Sequence, residues 1–115
     1  MRVYVAGPMR GRPFFNFPAF DEAAAALRAE GHEVFNPADR DRQVHGDEVN
    51  NSATGNLDDI AHTGFTLREA LEADTSWICR NAEAIALLPE WETSKGATAE
   101  YALARALGLE VWSVE

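Results

Sequence analysis

Two acidic residues in this chain stand where the local pattern asks for apolar ones. Glu100 lies in a segment, Gly96 to Gly108, in which Ala97, Leu103, Ala104 and Leu107 share its helical face at three-, four- and seven-residue spacing. Asp74 repeats the anomaly, interrupting a stripe of Leu67, Ala70, Leu71, Trp77 and Ile78. A carboxylate inside an apolar stripe faces packed protein or a closed pocket, where its charge needs a partner or a ligand. One such acid is read equally well as a cap on a neighbouring backbone or as the partner of an arginine. Two on inward faces of consecutive helices point to chemistry, because paired carboxylates can divide nucleophilic and acid–base roles. The helix start near Gly96 adds a dipole expected to favour an ionised Glu100 by ~0.3–1 kcal/mol.

A second group of residues has the chemistry to grip an anion. Gly7-Pro8-Met9-Arg10-Gly11-Arg12 follows the first β-like run directly. Glycine lets backbone approach a ligand closely, and arginine can hold a phosphate through two parallel hydrogen bonds. Ser94, just before the Glu100 helix, offers a hydroxyl to the same anion, or serves simply as a helix-flanking serine. The loop taken alone reads as a surface turn. Tyr4 sits mid-strand beneath it; a buried tyrosine hydroxyl needs a partner, and Glu100 is the candidate. Phe14, Phe15 and Phe17 cluster beside the loop, where an apolar wall for a flat ring would be useful. His32, His45 and His62 are scattered, with no spacing that suggests a metal site. Cys79 reads as a structural thiol.

The elements that must position these residues alternate. Arg2 to Ala6, His32 to Asn36, Ala84 to Leu88 and Leu109 to Val114 read as strands. Helices are expected from Asn16-Phe17-Pro18 to Gly31, with Asp21 and Glu22 in the first turn, from Thr66 to Asn81, and across Glu100. Residues 37–65 are polar and rich in Asp, Arg, Asn and Gly, and read as a long loop, either mobile or covering a substrate. The order implies an α/β fold: a parallel sheet of four or five strands, order 2-1-3-4, helices on both faces, in a single domain over residues 1–115. Ligands of such sheets bind at the carboxyl ends of the strands, where the strand order reverses.

The chain has 115 residues, 46% of them hydrophobic, enough for one core, and a formal charge of -9. That balance, without a basic stripe, argues against a nucleic-acid polymer as partner. A small anion remains compatible, because local donors hold a phosphate despite an acidic average. The one cysteine excludes an internal disulfide. No segment reads as a signal peptide or a bilayer span, so no membrane partner and a cytoplasmic location are expected.

Val3-Tyr4-Val5-Ala6-Gly7-Pro8-Met9-Arg10-Gly11, then Asp74, then Gly96-Ala97-Thr98-Ala99-Glu100-Tyr101-Ala102 together resemble the nucleoside 2-deoxyribosyltransferase superfamily. The resemblance includes its small domain-of-unknown-function branch, common in phages and actinobacteria, and spans most of the chain except roughly residues 40–65. It implies a flavodoxin-like three-layer sandwich. It also implies Glu100 as the nucleophile at the sugar C1′, Tyr4 as the group that orients it, and Asp74 as an acid that assists base departure or contacts the sugar. Gly7, Met9, Arg10, Gly11, Ser94 and Gly96 fall in the substrate-binding segments. No metal or organic cofactor is implied, and a homodimer or larger homo-oligomer is.

One departure separates two activities. Transferases acting on free nucleosides usually carry an aspartate six residues before the nucleophile, where this chain has Ser94. The branch that hydrolyses nucleoside 5′-monophosphates resembles this chain there, and an aspartate would repel a phosphate dianion. The expectation is N-glycosidic cleavage of a nucleotide. Base exchange between free nucleosides is the first alternative and a catalytically silent nucleotide-binding module the second. A cytokinin-activating phosphoribohydrolase also has a Gly-Thr-x-x-Glu helix start, but Pro89-Glu90-Trp91 lacks the glycines of its preceding turn.

Overall fold

A computed structural model describes residues 1–114. Strands β1 (Arg2–Ala6), β2 (Glu33–Phe35), β3 (Ala84–Leu87) and β4 (Glu110–Ser113) form one parallel sheet in the order β2-β1-β3-β4. The α-helices are α1 (Phe17–Ala29), α2 (Pro37–His45), α3 (Leu67–Asn81) and α4 (Lys95–Ala106). Strand alternation sorts the core into two layers. Val3, Val5, Ala84 and Ala86 face the side covered by α1, which contributes Phe20, Ala23, Ala24 and Leu27. Tyr4, Ala6, Ile85 and Leu87 face Ile78 of α3 and Ala97 and Ala104 of α4. The result is the expected flavodoxin-like sandwich with four strands. No helix among the described residues is long and apolar enough to cross a membrane.

Three sequence expectations need correction. Helix α1 begins at Phe17, so its first turn holds no acidic residue, and Asp21 and Glu22 lie beyond it. The stripes on α3 and α4 fray at their ends, where Leu67 and Leu107 are 41% and 46% exposed. The largest difference is at residues 37–65, which are mostly helical rather than loop. Asn36 caps α2 by accepting from the Ala38 N–H at 3.0 Å, Pro37 occupies its first turn, and 3-10 turns follow at Asp47–Asn50 and Leu57–Thr63. The Asn-Pro start carried that signal.

This segment is fastened to the loop after β1. The Gly11 N–H donates to the Gly55 carbonyl at 3.0 Å, and the Phe14 N–H to the Ser52 carbonyl at 2.7 Å. Gly55 has φ +75, and a Cβ there would lie 2.3 Å from the Arg12 carbonyl oxygen, so only glycine fits. Buried Ser52 donates to Asp59 Oδ2 at 2.7 Å and accepts from the N–H groups of Gly55 and Asn56. Opposite it, Phe14, Phe15 and Asn16 all have positive φ (54, 54 and 61), a left-handed turn that costs on the order of 1–3 kcal/mol per residue. The turn drives Phe15 and Phe17 inward and leaves Phe14 45% exposed, so Phe14 does not share the wall that all three phenylalanines were expected to form.

Candidate active site

The chain leaves β1 toward β2 on one side and β3 toward β4 on the other, so the strand order reverses between β1 and β3. A cavity of about 390 Å³ opens at the ends of these two strands, within the usual range for small-molecule sites. Loop residues after β1, the approach to α4, the inner face of α3 and the 37–65 segment all contribute walls.

Tyr4, Asp74 and Glu100 meet in this cavity. The Tyr4 hydroxyl donates to Glu100 Oε2 at 2.7 Å, and both residues are buried. Phe35 stacks on the Tyr4 ring at 5.5 Å between centroids and Trp77 packs at 6.5 Å, which fixes the direction of the hydroxyl. Burial and the neighbouring charges of Glu100 and Asp74 push the Tyr4 phenol well above its ordinary value, so it remains a neutral donor. Burial, then the charge of Asp74, raises Glu100 to about 8 against the bond from Tyr4. The expected help from the helix dipole does not prevail. Glu100 is the sixth residue of α4, past the first turn where that field acts.

Asp74 is 8% exposed, and its Oδ1 is buried without a hydrogen-bond partner among the described residues. Burial, then the charge of Asp41, raises it to about 7. Neither a backbone cap nor an arginine satisfies that oxygen, an uncommon state for a buried polar atom. Asp41 is the site residue that sequence reasoning missed. It lines the cavity from α2, is 2% exposed, and is raised to about 6 by burial despite the nearby Arg40 cation. It stands three residues after buried Ala38 and four after buried Pro37, the same spacing anomaly that singled out Glu100. Reading 37–65 as loop concealed it.

Of the binding residues expected from sequence, Gly7, Met9, Arg10, Ser94 and Gly96 line the cavity. Gly7 is required by packing as well, since a Cβ there would lie 2.7 Å from that of Leu88. Gly11 is not part of the lining, and its N–H is taken by Gly55. Ser94 is the N-cap of α4, its Oγ accepting from the Ala97 N–H at 3.1 Å. The same hydroxyl can still donate its hydrogen. Exposed Lys95, without an ion pair among the described residues, joins Arg10 at the lining. Arg12 is engaged elsewhere, at 2.8 Å from Glu90 Oε1 and 3.1 Å from Thr93 Oγ1, tying the β1 loop to the β3 loop. Cys79 is exposed and outside the cavity lining. No group of three or more His, Cys, Asp or Glu among the described residues is placed to hold a metal ion.

The arrangement provides one buried carboxylate held by a hydroxyl, a second buried acid with an unpartnered oxygen in the same cavity, and cations with a helix N-terminus at the lining. No curated protein and no solved structure matches the chain. Residues 1–113 match the family model described as Domain of unknown function (DUF4406), and with nearly its whole length covered the chain belongs to that family.

Proposed function

We propose that the protein cleaves the N-glycosidic bond of a nucleoside 5′-monophosphate, with Glu100 as nucleophile. The observation that carries this reading is the buried Tyr4–Glu100 hydrogen bond in one cavity with the free Oδ1 of Asp74. Ionised Glu100 attacks C1′, forming a C1′–O bond as the C1′–N bond breaks and its electron pair leaves with the base. Protonated Asp74 gives its proton to the departing base nitrogen. Water then attacks C1′, loses a proton to Asp74 and expels Glu100. The sum is nucleotide plus water giving free base and pentose 5-phosphate, with net retention from two displacements.

Both acids are raised into the range where they share a proton near neutral pH. When the two acids share one proton, the tautomer with Asp74 protonated and Glu100 ionised is the reactive one, and the bond from Tyr4 stabilises the Glu100 anion within it. Arg10, Lys95, the Ser94 hydroxyl and the N-terminus of α4 are the donors for a 5′-phosphate. A serine rather than an acid at 94 favours a phosphorylated substrate over a free nucleoside. The family resemblance adds a homo-oligomer in the cytoplasm, which sedimentation of the purified protein checks for assembly.

The test incubates the protein with a panel of nucleosides and their 5′-monophosphates, with and without added free base, and follows base release by chromatography. Release from monophosphates alone is the expected result. Exchange between free nucleosides establishes the transferase instead, and saturable nucleotide binding with no release establishes a silent binding module.

A further inference from the structure

The polar groups of the cavity are segregated. Arg10 follows β1, Thr93 and Ser94 lie in the connection between β3 and α4, and Lys95 opens α4. The buried polar side chains are Asp41, Asp74, Glu100 and Tyr4. The lining also has apolar walls, including Phe15, Phe17, Val49, Ile60 and Phe65, suited to the faces of a flat ring. Three of the four buried polar groups are acids, and the fourth, Tyr4, commits its hydrogen to Glu100.

If Glu100 attacks the sugar and Asp74 protonates the ring nitrogen that leaves, one buried polar group is left for the rest of the base. That group is Asp41. Its side chain makes a single hydrogen bond among the described residues, from Arg40 Nη1 at 3.4 Å, and Arg40 is otherwise paired with Glu69. Asp74, 8% exposed and with its Oδ1 unpartnered among the described residues, lines the same cavity beside it. With the Asp74 proton committed to the leaving nitrogen, a base carbonyl placed against Asp41 would face carboxylate oxygens. An exocyclic amino group would be satisfied.

We infer that Asp41 is a specificity-determining residue that accepts a hydrogen bond from an exocyclic amino group. The substrate class is therefore nucleotides whose base carries such a group, in preference to their oxo counterparts. The inference rests on the nucleotide reading above. Discrimination arises because a buried acceptor left without its donor, or facing a carbonyl, weakens binding of the wrong base.

Base release is measured for matched pairs, cytosine against uracil and adenine against hypoxanthine 5′-monophosphates in ribose and deoxyribose forms, with wild type, Asp41→Asn and Asp41→Ala. The wild type is expected to favour the amino member of each pair by about tenfold or more in kcat/KM. Asp41→Asn, whose amide can donate to a carbonyl, is expected to collapse or invert that ratio, whereas a merely structural role lowers both members equally. Release by the wild type with no amino preference overturns the inference and leaves the glycosidic reading standing. So does an unchanged ratio in Asp41→Asn. No release from any nucleotide overturns both. If the variants do not fold, as judged by circular dichroism, the wild-type ratios alone decide.

Discussion

The Tyr4 hydroxyl lies 2.7 Å from Glu100 Oε2, joining the first strand to the last helix inside the protein. Tyr4→Phe removes the donor and leaves a buried carboxylate with one fewer partner. That loss costs on the order of 1–3 kcal/mol. The expected result is kcat lower by roughly 10- to 100-fold with little change in KM, because the bond acts on the nucleophile and not on substrate binding. The same bond opposes the rise of Glu100, so the limb assigned to that residue moves to higher pH in the variant. Steady-state kinetics across a pH series reads both effects.

The pH profile itself follows from two neighbouring acids. Asp74 is raised to about 7 and Glu100 to about 8. Activity needs one proton on the pair, so kcat/KM is expected to rise through about 7, fall above about 8, and stay low on both sides. The reactive tautomer is the minor one, since the proton prefers Glu100. Asp74→Asn cannot donate a proton to the base and is expected to lose the alkaline limb along with most of its activity on poor leaving groups. A substrate with an activated leaving group restores much of the rate if Asp74 acts as the acid.

Stability runs against activity at the same residue. Glu100, Asp74 and Asp41 all have folded-state values above their ordinary range, so the folded protein holds protons that the unfolded chain has released. Their contribution is fully present below the ordinary carboxylate range and is lost as pH rises toward about 8. Asp39, Glu69 and Glu83 are lowered and contribute in the opposite sense, losing their part in acid. Thermal unfolding is therefore expected to show a falling Tm from pH 6 to pH 8. Glu100→Gln, which keeps an acceptor for Tyr4, should flatten that fall and raise Tm at pH 8 by several degrees, ~4–8 °C for each kcal/mol regained.

Ser94 separates folding from substrate choice. Asp is as good an N-cap as Ser, so Ser94→Asp is expected to leave Tm nearly unchanged. Its charge repels a phosphate dianion, and KM for monophosphates should rise by roughly tenfold or more. Arg10→Ala and Lys95→Ala should raise the same KM. A parallel Tm and KM series for the three variants checks this.

Much of this architecture was legible in the sequence because its signals are local. Four apolar runs alternating with helical periodicity give the sheet and its order, and a carboxylate inside an apolar stripe marks Glu100 and Asp74. What was hidden depends on contacts distant in sequence. Asn36-Pro37 starts a helix, yet the polar composition of the next 28 residues masked it, and with it Asp41. The fastening of Ser52 and Gly55 to the β1 loop, and the left-handed turn at Phe14 to Asn16, exist only once both segments are folded together. Gly11 looked like a ligand-binding glycine and is instead the partner of Gly55.

The central claim is that Glu100 becomes bonded to the sugar. Its most direct test treats the protein with a 2′-deoxy-2′-fluoroarabino nucleoside 5′-monophosphate, whose fluorine slows hydrolysis of a glycosyl ester, and measures intact and peptide masses after quenching. The account predicts an added pentose phosphate on the peptide containing Glu100, released base in equal amount, and neither in Glu100→Gln. Base release by Glu100→Gln at the wild-type rate, with no adduct on either protein, would contradict it.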